Sequence, residues 1–348
     1  NMTECPAHAP ADHPALPKQK VGVLIANLGT PDDTSYWPMR RYLSEFLSDK
    51  RVIDYPRWKW QPILQGIVLS IRPFKSGAAY KSIWNEEFNE SPLMTITKQQ
   101  VAKLTASLTE QYGDQVMVDF CMRYGNPSTP SVVKKMVAAG CTKILFCPLY
   151  PQYAGATTAT ANDQFFRALM DEKWQPASRT LPPYFDDDAY IDALAQSVER
   201  AYAAADEAPD LLICSYHGLP FRYLTEGDPY HCQCQKTTRL LKERLGWSDD
   251  QIMTTFQSKF GPEDWLQPYT VEEVARQAEK GNKKIAVIAP AFSADCIETL
   301  EEINEEIKES FEHAGGESFT YIPCLNDDDA HIAALTGKIT ENLRGWLD

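Results

Sequence analysis

The chain has 348 residues, of which 43% are hydrophobic and 24% charged, so it can bury a sizeable core and is not a wholly disordered chain. Its formal net charge of −14 argues against nucleic acid as a partner, because an acidic surface repels phosphate backbones. No apolar run approaches the ~20 residues that cross a bilayer.

Residues 1–18 are rich in Pro, Ala and His and lack the apolar stretch of a secretory signal. We expect this segment to be a flexible arm and the protein to be cytoplasmic. Nine cysteines without a secretory signal then indicate reduced core thiols rather than disulfides.

Short apolar runs alternate with segments of helical periodicity along the rest of the chain. The runs lie at 21–27, 116–121, 143–149, 211–216, 253–257, 285–289 and 319–323. The helical segments include 97–112, 187–204, 270–280 and 298–312. This alternation predicts an α/β fold with parallel sheets covered by helices on both faces.

Two architectures fit this order: two doubly wound halves, or a single (β/α)8 barrel. The first two runs, at 21–27 and 116–121, are too far apart for one barrel repeat, which favours two halves. We predict two doubly wound, Rossmann-like domains at 19–175 and 176–325, and a C-terminal helix within 326–348. Neither GxGxxG nor GxxxxGK[ST] occurs, so this fold class does not indicate a nucleotide.

An aromatic, apolar segment at 57–75 interrupts the first predicted domain and is flanked by Arg and Lys. It is too short to span a membrane. One interpretation is a buried core helix. The other is an exposed lip that grips a flat hydrophobic ligand or rests on a membrane surface.

His217 directly follows the apolar run at 211–216 and precedes Gly218. This places an imidazole at the carboxyl end of a parallel strand, where open α/β sheets bind ligands. Such a side chain can accept a proton near neutral pH or bind a metal. A histidine hydrogen-bonded in the core is the alternative, and the position at the strand end favours function.

A second candidate is an acidic segment that follows the run at 285–289. Asp295, Glu298, Glu302 and Glu306 would share one stripe of an α-helix. A row of carboxylates suits a hydrated divalent cation, whereas a solvated acidic face is the simpler interpretation of Glu302 and Glu306. We expect Asp295 and Glu298, which are closest to the strand end, to be functional.

The order of these motifs resembles that of ferrochelatases, particularly proteobacterial ones. The resemblance covers about residues 20–346, and its segments are VGVLIANLGTPD (21–32), RRYLSEFLSDKRVID (40–54), NESPL (89–93), PLYPQY (148–153), SYHGLP (215–220), GDPY (227–230), FQSKFGPEDWLQPYT (256–270) and ADCIETLEEI (294–303). It implies a lyase that inserts Fe²⁺ into protoporphyrin IX, the terminal step of haem biosynthesis. It also implies a deep cleft between the two Rossmann-like domains, with a lip over its mouth.

The resemblance also implies roles for individual residues. His217 and Glu298 match the catalytic positions and, with Asp295 and Glu302, the metal path. The matches for porphyrin binding are Tyr153, Trp265, Arg123 and Ser91, with Trp60, Ile63 and Ile67 on the lip. Cys296 stands where many relatives have histidine.

No resident cofactor is expected, because Fe²⁺ is a substrate. Some ferrochelatases carry a [2Fe–2S] cluster, which needs four converging thiolates. Here only Cys232 and Cys234 are closely spaced, and no cysteine follows Cys324. We therefore predict that this chain has no cluster, although a metal site that uses Cys232 and Cys234 is an alternative.

The rival functions are a cobalt chelatase of the same fold, a chelatase that uses coproporphyrin, and a haem or porphyrin carrier without catalysis. The aromatic lip argues against a cobalt chelatase, whose carboxylate-rich substrate needs a basic cleft. A carrier needs no proton acceptor. The resemblance allows peripheral contact with the inner membrane through the lip, and the sequence predicts no particular oligomeric state.

Overall fold

The computed structural model describes residues 7–348 and contains two four-stranded parallel sheets. The first has the order β2-β1-β3-β4 and the second β6-β5-β7-β8. The strands are β1 (Lys20–Thr30), β2 (Val116–Gly125), β3 (Cys141–Pro148), β4 (Ala177–Thr180), β5 (Leu211–His217), β6 (Ile252–Gln257), β7 (Lys284–Ile288) and β8 (Ser318–Tyr321). Two separate sheets confirm the two Rossmann-like domains and exclude a single barrel.

Helices connect the strands. In the first half they are α1 (Tyr36–Leu47), α2 (Arg57–Ile63), α3 (Leu69–Ile83), α4 (Pro92–Tyr112), α5 (Thr129–Ala138) and α6 (Thr160–Met170). In the second half they are α7 (Asp188–Ala204), α8 (Phe221–Thr225), α9 (Tyr230–Leu245), α10 (Thr270–Glu279), α11 (Lys308–His313) and α12 (Asp329–Leu343). Wider π-helical turns form Leu64–Val68, Gly155–Ala159 and Glu298–Ile307, and Gly113–Gln115 is a 3₁₀ turn.

The predicted domain limits need correction at the end of the first domain. β4 pairs with β3, so the first sheet continues past residue 175. α12 occupies Asp329–Leu343 of the predicted 326–348 and packs against both α4 and α7, which belong to different halves. The arm predicted at 1–18 lies partly outside the described residues, and its last residue, Lys18, forms an ion pair with Asp114.

One hydrophobic core runs through both halves and holds the two sheets in fixed relation. Val23 and Ile25 of β1 and Leu212 of β5 belong to the same buried cluster. The interior strands β1 and β5 are buried along almost their whole length, as expected for parallel sheets with helices on both faces. Because this core is shared, the two halves are packed against each other.

The segment 57–75 forms the predicted lip, built from α2, the π-turn Leu64–Val68 and the start of α3. Within this segment, Leu64 and Leu69 are fully buried on its inner face. Its outer face carries large apolar side chains, and Trp58 and Ile71 are 75% and 70% exposed. No helix among residues 7–348 is both long and apolar enough to cross a membrane.

Candidate active site

A cavity of about 690 Å³ lies between the two sheets, within the usual size range of small-molecule sites. The carboxyl ends of four strands reach it. Its wall includes Thr30 and Gln257, which end β1 and β6, His217, which ends β5, and Leu149, which follows β3. This is where open α/β sheets bind ligands, so any chemistry is expected here.

His217 lines the cavity at the end of β5. Its Nδ1–H donates a hydrogen bond to the carbonyl oxygen of Gly218, 2.7 Å away. The carbonyl can only accept, so Nδ1 carries a proton, and in the neutral form of the ring the lone pair is therefore on Nε2. Gly218 is required beside it, since a Cβ there would lie 2.8 Å from the Gln257 oxygen and 3.0 Å from the Trp265 ring.

Glu298, Glu302 and Glu306 all line the cavity, four residues apart on the π-helix Glu298–Ile307. A π-helix of this length is unusual, and such turns are often found at functional sites. Burial, together with the nearby charge of Glu298, raises the pKa of Glu302 to about 7. Burial, together with Glu306, raises the pKa of Glu301 to about 7. A cation would relieve both effects.

Asp295 does not join this acidic row, contrary to the sequence-based expectation. It precedes the helix, is 5% exposed and is absent from the cavity wall. Its Oδ2 accepts from Asn326 Nδ2 at 2.8 Å, and its Oδ1 accepts from Thr299 Oγ1 at 2.9 Å and from the Tyr321 hydroxyl. These contacts tie Asp295 to Thr299, Tyr321 and Asn326, and its side chain does not line the cavity.

The residues expected to bind porphyrin separate into two groups. Trp265 and Ser91 line the cavity, and the Ser91 hydroxyl also caps α4 by accepting from Met94 N at 3.3 Å. Tyr153 and Arg123 do not line it. The guanidinium of Arg123 is buried behind the wall, where it pairs with Asp49 at 3.1 Å.

The three lip residues named from the sequence also lie outside the cavity wall. Trp60 anchors the lip, because its indole N–H donates to the Leu47 carbonyl at 2.7 Å. Ile63 and Ile67 face outward and are 46% and 61% exposed. The lip therefore presents these two side chains to the surroundings, away from the cavity interior.

Comparison with known proteins shows which family this chain belongs to. A sequence profile of the ferrochelatase family matches residues 20–343. The ferrochelatase of Rhodobacter capsulatus is 71% identical over 342 residues, which cover 98% of this chain and 97% of that protein. The chain belongs to the ferrochelatase family. A ferrochelatase of Allorhizobium ampelinum is 56% identical over 340 residues, with 98% of both chains covered. The protein is a metal-insertion enzyme of haem biosynthesis, with a porphyrin and ferrous iron as substrates.

The ferrochelatase fold is shared with a more distant chelatase. The structure of SirB from Bacillus subtilis with Fe³⁺ superposes with a TM-score of 0.53 at 13% identity, covering 95% of this chain and 99% of that one. This likeness concerns the fold alone. The cobalt chelatase and carrier alternatives are not favoured, since identity to named ferrochelatases is far higher.

The site of this ferrochelatase family member also contains residues to which the sequence assigned no role in the site. Arg72 and Lys75 line the cavity, are exposed, and lie three residues apart on α3. Both belong to the lip segment, so their spacing was the available signal. Tyr42 and Tyr80 add buried aromatic wall. No motif marks these tyrosines, which come from separate helices that only the fold brings together.

Proposed function

We propose that the porphyrin substrate is protoporphyrin IX and that His217 accepts, one at a time, the protons released as Fe²⁺ enters the ring, passing each on to solvent before it takes the next. A free porphyrin carries two pyrrolic N–H protons that must leave when the metal binds. The supporting observation is that His217 lines the cavity and donates from Nδ1 to Gly218 O, so that Nε2 is the nitrogen available to accept a proton when the ring is neutral. General bases of this kind contribute about 10²–10⁴ to rate.

Metal delivery is assigned to the acidic π-helix. Glu298 is half-buried and lines the cavity, Glu302 lies one turn further, and Glu306 is exposed. Carboxylate oxygens are suitable ligands for a hydrated divalent ion and can replace its water one ligand at a time. This row offers Fe²⁺ a path from solvent to the ring, and Glu298 completes the transfer.

The cavity cations support protoporphyrin over coproporphyrin. Protoporphyrin has two propionates on one edge, whereas coproporphyrin has four carboxylates spread around the ring. Arg72 and Lys75 are neighbours at the exposed rim. The third lining cation, Lys259, already donates to the Gly261 carbonyl at 2.8 Å. Two adjacent cations match two adjacent propionates.

The deciding experiment is a multiple-turnover assay with Fe²⁺ and protoporphyrin IX on the wild type, His217→Ala and His313→Ala. We expect His217→Ala to lose about 10²–10⁴ in kcat while still binding porphyrin. His313 is exposed on α11, so its variant should match the wild type. Haem formation limited to one equivalent by the wild type would indicate a carrier, and tenfold or smaller loss in His217→Ala would refute the assignment of the base.

We also propose that no resident cofactor, including a [2Fe–2S] cluster, is required. Within residues 7–348, Cys232 is exposed and the other seven cysteines are buried. In the same part of the chain no three His, Cys, Asp or Glu side chains are grouped to hold a metal. Anaerobically purified protein should be colourless. Brown protein with about two iron atoms per chain would contradict this proposal.

The lip is proposed to make peripheral contact with the inner membrane from the cytoplasmic side. Its exposed apolar side chains are Trp58, Ile63, Ile67, Ile71 and Phe74. Arg57 and Lys59 flank them on α2 and are suited to anionic headgroups despite the acidic chain. Contact there would bring the cavity rim near a membrane-dissolved, apolar substrate.

A further inference from the structure

Ser258 has an unusual backbone conformation directly beside the active site. It follows β6, lines the cavity and has φ +68°. Two other non-glycine residues among 7–348 have positive φ, and both are asparagine, which tolerates this region through its short polar side chain. Serine has less tolerance, so something in the surrounding structure holds Ser258 in place.

This conformation aims the Ser258 hydroxyl at Glu302. The hydroxyl donates to the carboxylate, 2.9 Å from Oε2 and closer still to Oε1. Gln257 Nε2 donates to the same Oε2 at 3.3 Å and to the Glu298 carbonyl at 3.0 Å. Two successive residues at the end of β6 therefore donate hydrogen bonds to Glu302, the middle carboxylate of the acidic row.

The orientation of the Gln257 amide is itself fixed. Its Oε1 accepts from Ser215 Oγ at 2.7 Å, which leaves Nε2 to face the π-helix. In the parallel pairing of β5 with β6, Gln257 is also the register partner of His217. The strand end that carries His217 and the strand end that contacts the acidic helix are thus neighbours in one sheet.

We propose that Ser258, assisted by Gln257, is a positioning residue that fixes the Glu302 carboxylate for the passage of Fe²⁺ between Glu306 and Glu298. This rests on the proposed path of metal delivery. Glu302 has rotatable bonds that would otherwise let its carboxylate turn away from its neighbours. A charged acceptor held by two donors keeps one orientation, and the strained backbone at Ser258 is retained because it aims the hydroxyl.

The test separates the hydroxyl from the backbone. Ser258→Ala removes the hydroxyl only, whereas Ser258→Gly also relaxes the backbone. We expect both variants to raise the KM for Fe²⁺ about tenfold, as for the loss of a hydrogen bond to a charged group, with the KM for protoporphyrin changed less than twofold. Ser258→Asn, which tolerates this φ and supplies a donor, should recover part of the loss.

Ser131→Ala is the matched control, because that hydroxyl donates to Ser128 O on the exposed surface of α5. An unchanged KM for Fe²⁺ in Ser258→Ala, or an equal rise for both substrates, would overturn the inference. Should the alanine variant fail to fold, the glycine variant carries the test. A wild type that inserts no iron would instead refute the proposed function, whatever the variants do.

Discussion

The position of each carboxylate along the π-helix should decide how much it contributes to the rate of iron insertion. Glu298 is half-buried and Glu306 is exposed, and both line the same cavity. The sequence places Glu298 close to the strand end and Glu306 far from it, and the structure shows that Glu306 also lines the cavity. Water screens a charge at the rim more than one inside, so the same neutralisation should matter more at Glu298.

We predict that Glu298→Gln lowers kcat for iron insertion by about 10²–10³, whereas Glu306→Gln lowers it only a few-fold. Glutamine keeps the size of the side chain and removes its charge. Steady-state rates at saturating porphyrin and varied Fe²⁺ measure the difference. Equal losses in the two variants would mean that the row acts only as a diffuse negative surface.

Two of the site residues were predictable because a local rule fixes where they lie. His217 ends an apolar strand, and Glu298 begins a helix after another strand. Asp295 has the same chemistry three residues earlier, but its direction depends on contacts with Tyr321 and Asn326 from distant parts of the chain. The resemblance likewise implies that Arg123 binds porphyrin. The structure instead pairs its guanidinium with Asp49, a contact that no motif predicts.

At the scale of elements, the lip combines a buried anchor with an exposed face. Leu64, Leu69 and the Trp60 indole hold it to the first domain. Ile67 and Ile71, one turn apart, remain 61% and 70% exposed. Exposed apolar side chains grouped in this way mark an interaction surface, whereas the anchor residues account for the stability of the lip.

We predict that replacing Ile67 and Ile71 with glutamate abolishes binding to anionic lipid vesicles without changing the melting temperature by more than a few degrees. Both side chains are already exposed in the folded protein, so the substitutions should change its stability little. They remove apolar area that would contribute ~25 cal/mol per Å² when buried in the membrane. Vesicle co-sedimentation measures the binding. Met170→Glu, at a site 76% exposed on α6, is the control and should bind like the wild type. Vesicle binding by the double variant would exclude the lip as the contact surface.

The regular elements were predictable where burial dominates the pattern. The apolar runs identified seven of the eight strands, often to within a few residues. β4 was missed because Ala177–Thr180 is short, polar and partly exposed at a sheet edge. The helix predicted at 298–312 exists, but its first ten residues are π-helical. Its apolar spacing fits either helix type, and the contacts that widen the turns come from other elements.

At the scale of the whole molecule, a buried polar junction joins the two halves. Gln100 of α4 donates from Nε2 to the carbonyls of Ser293 and Asn326, at 3.0 and 3.1 Å. His331 of α12 donates from Nδ1 to the same Asn326 carbonyl at 2.7 Å. Since the core is also continuous between the halves, we expect the domains to unfold together rather than one after the other.

His331 makes this junction sensitive to acid. Its side chain is 1% exposed, and its Nε2 has no hydrogen-bond partner among residues 7–348. Burial lowers its pKa to about 4, whereas an unfolded histidine titrates near 6.5. Between these values the unfolded chain binds the extra proton and the folded chain does not. The free energy of unfolding therefore falls as pH drops through this window and is unaffected by His331 above it.

We predict that His331→Asn reduces this acid sensitivity. One such histidine contributes about 1.4 kcal/mol per pH unit, or about 3 kcal/mol across the window, and asparagine can donate to the Asn326 carbonyl without titrating. Urea unfolding between pH 7 and 4.5 measures the slope for each protein. His313→Asn, at an exposed site on α11, should keep the wild-type slope. If His331→Asn keeps it too, the acid response originates elsewhere, and a buried neutral His331 does not limit the stability of the domain junction.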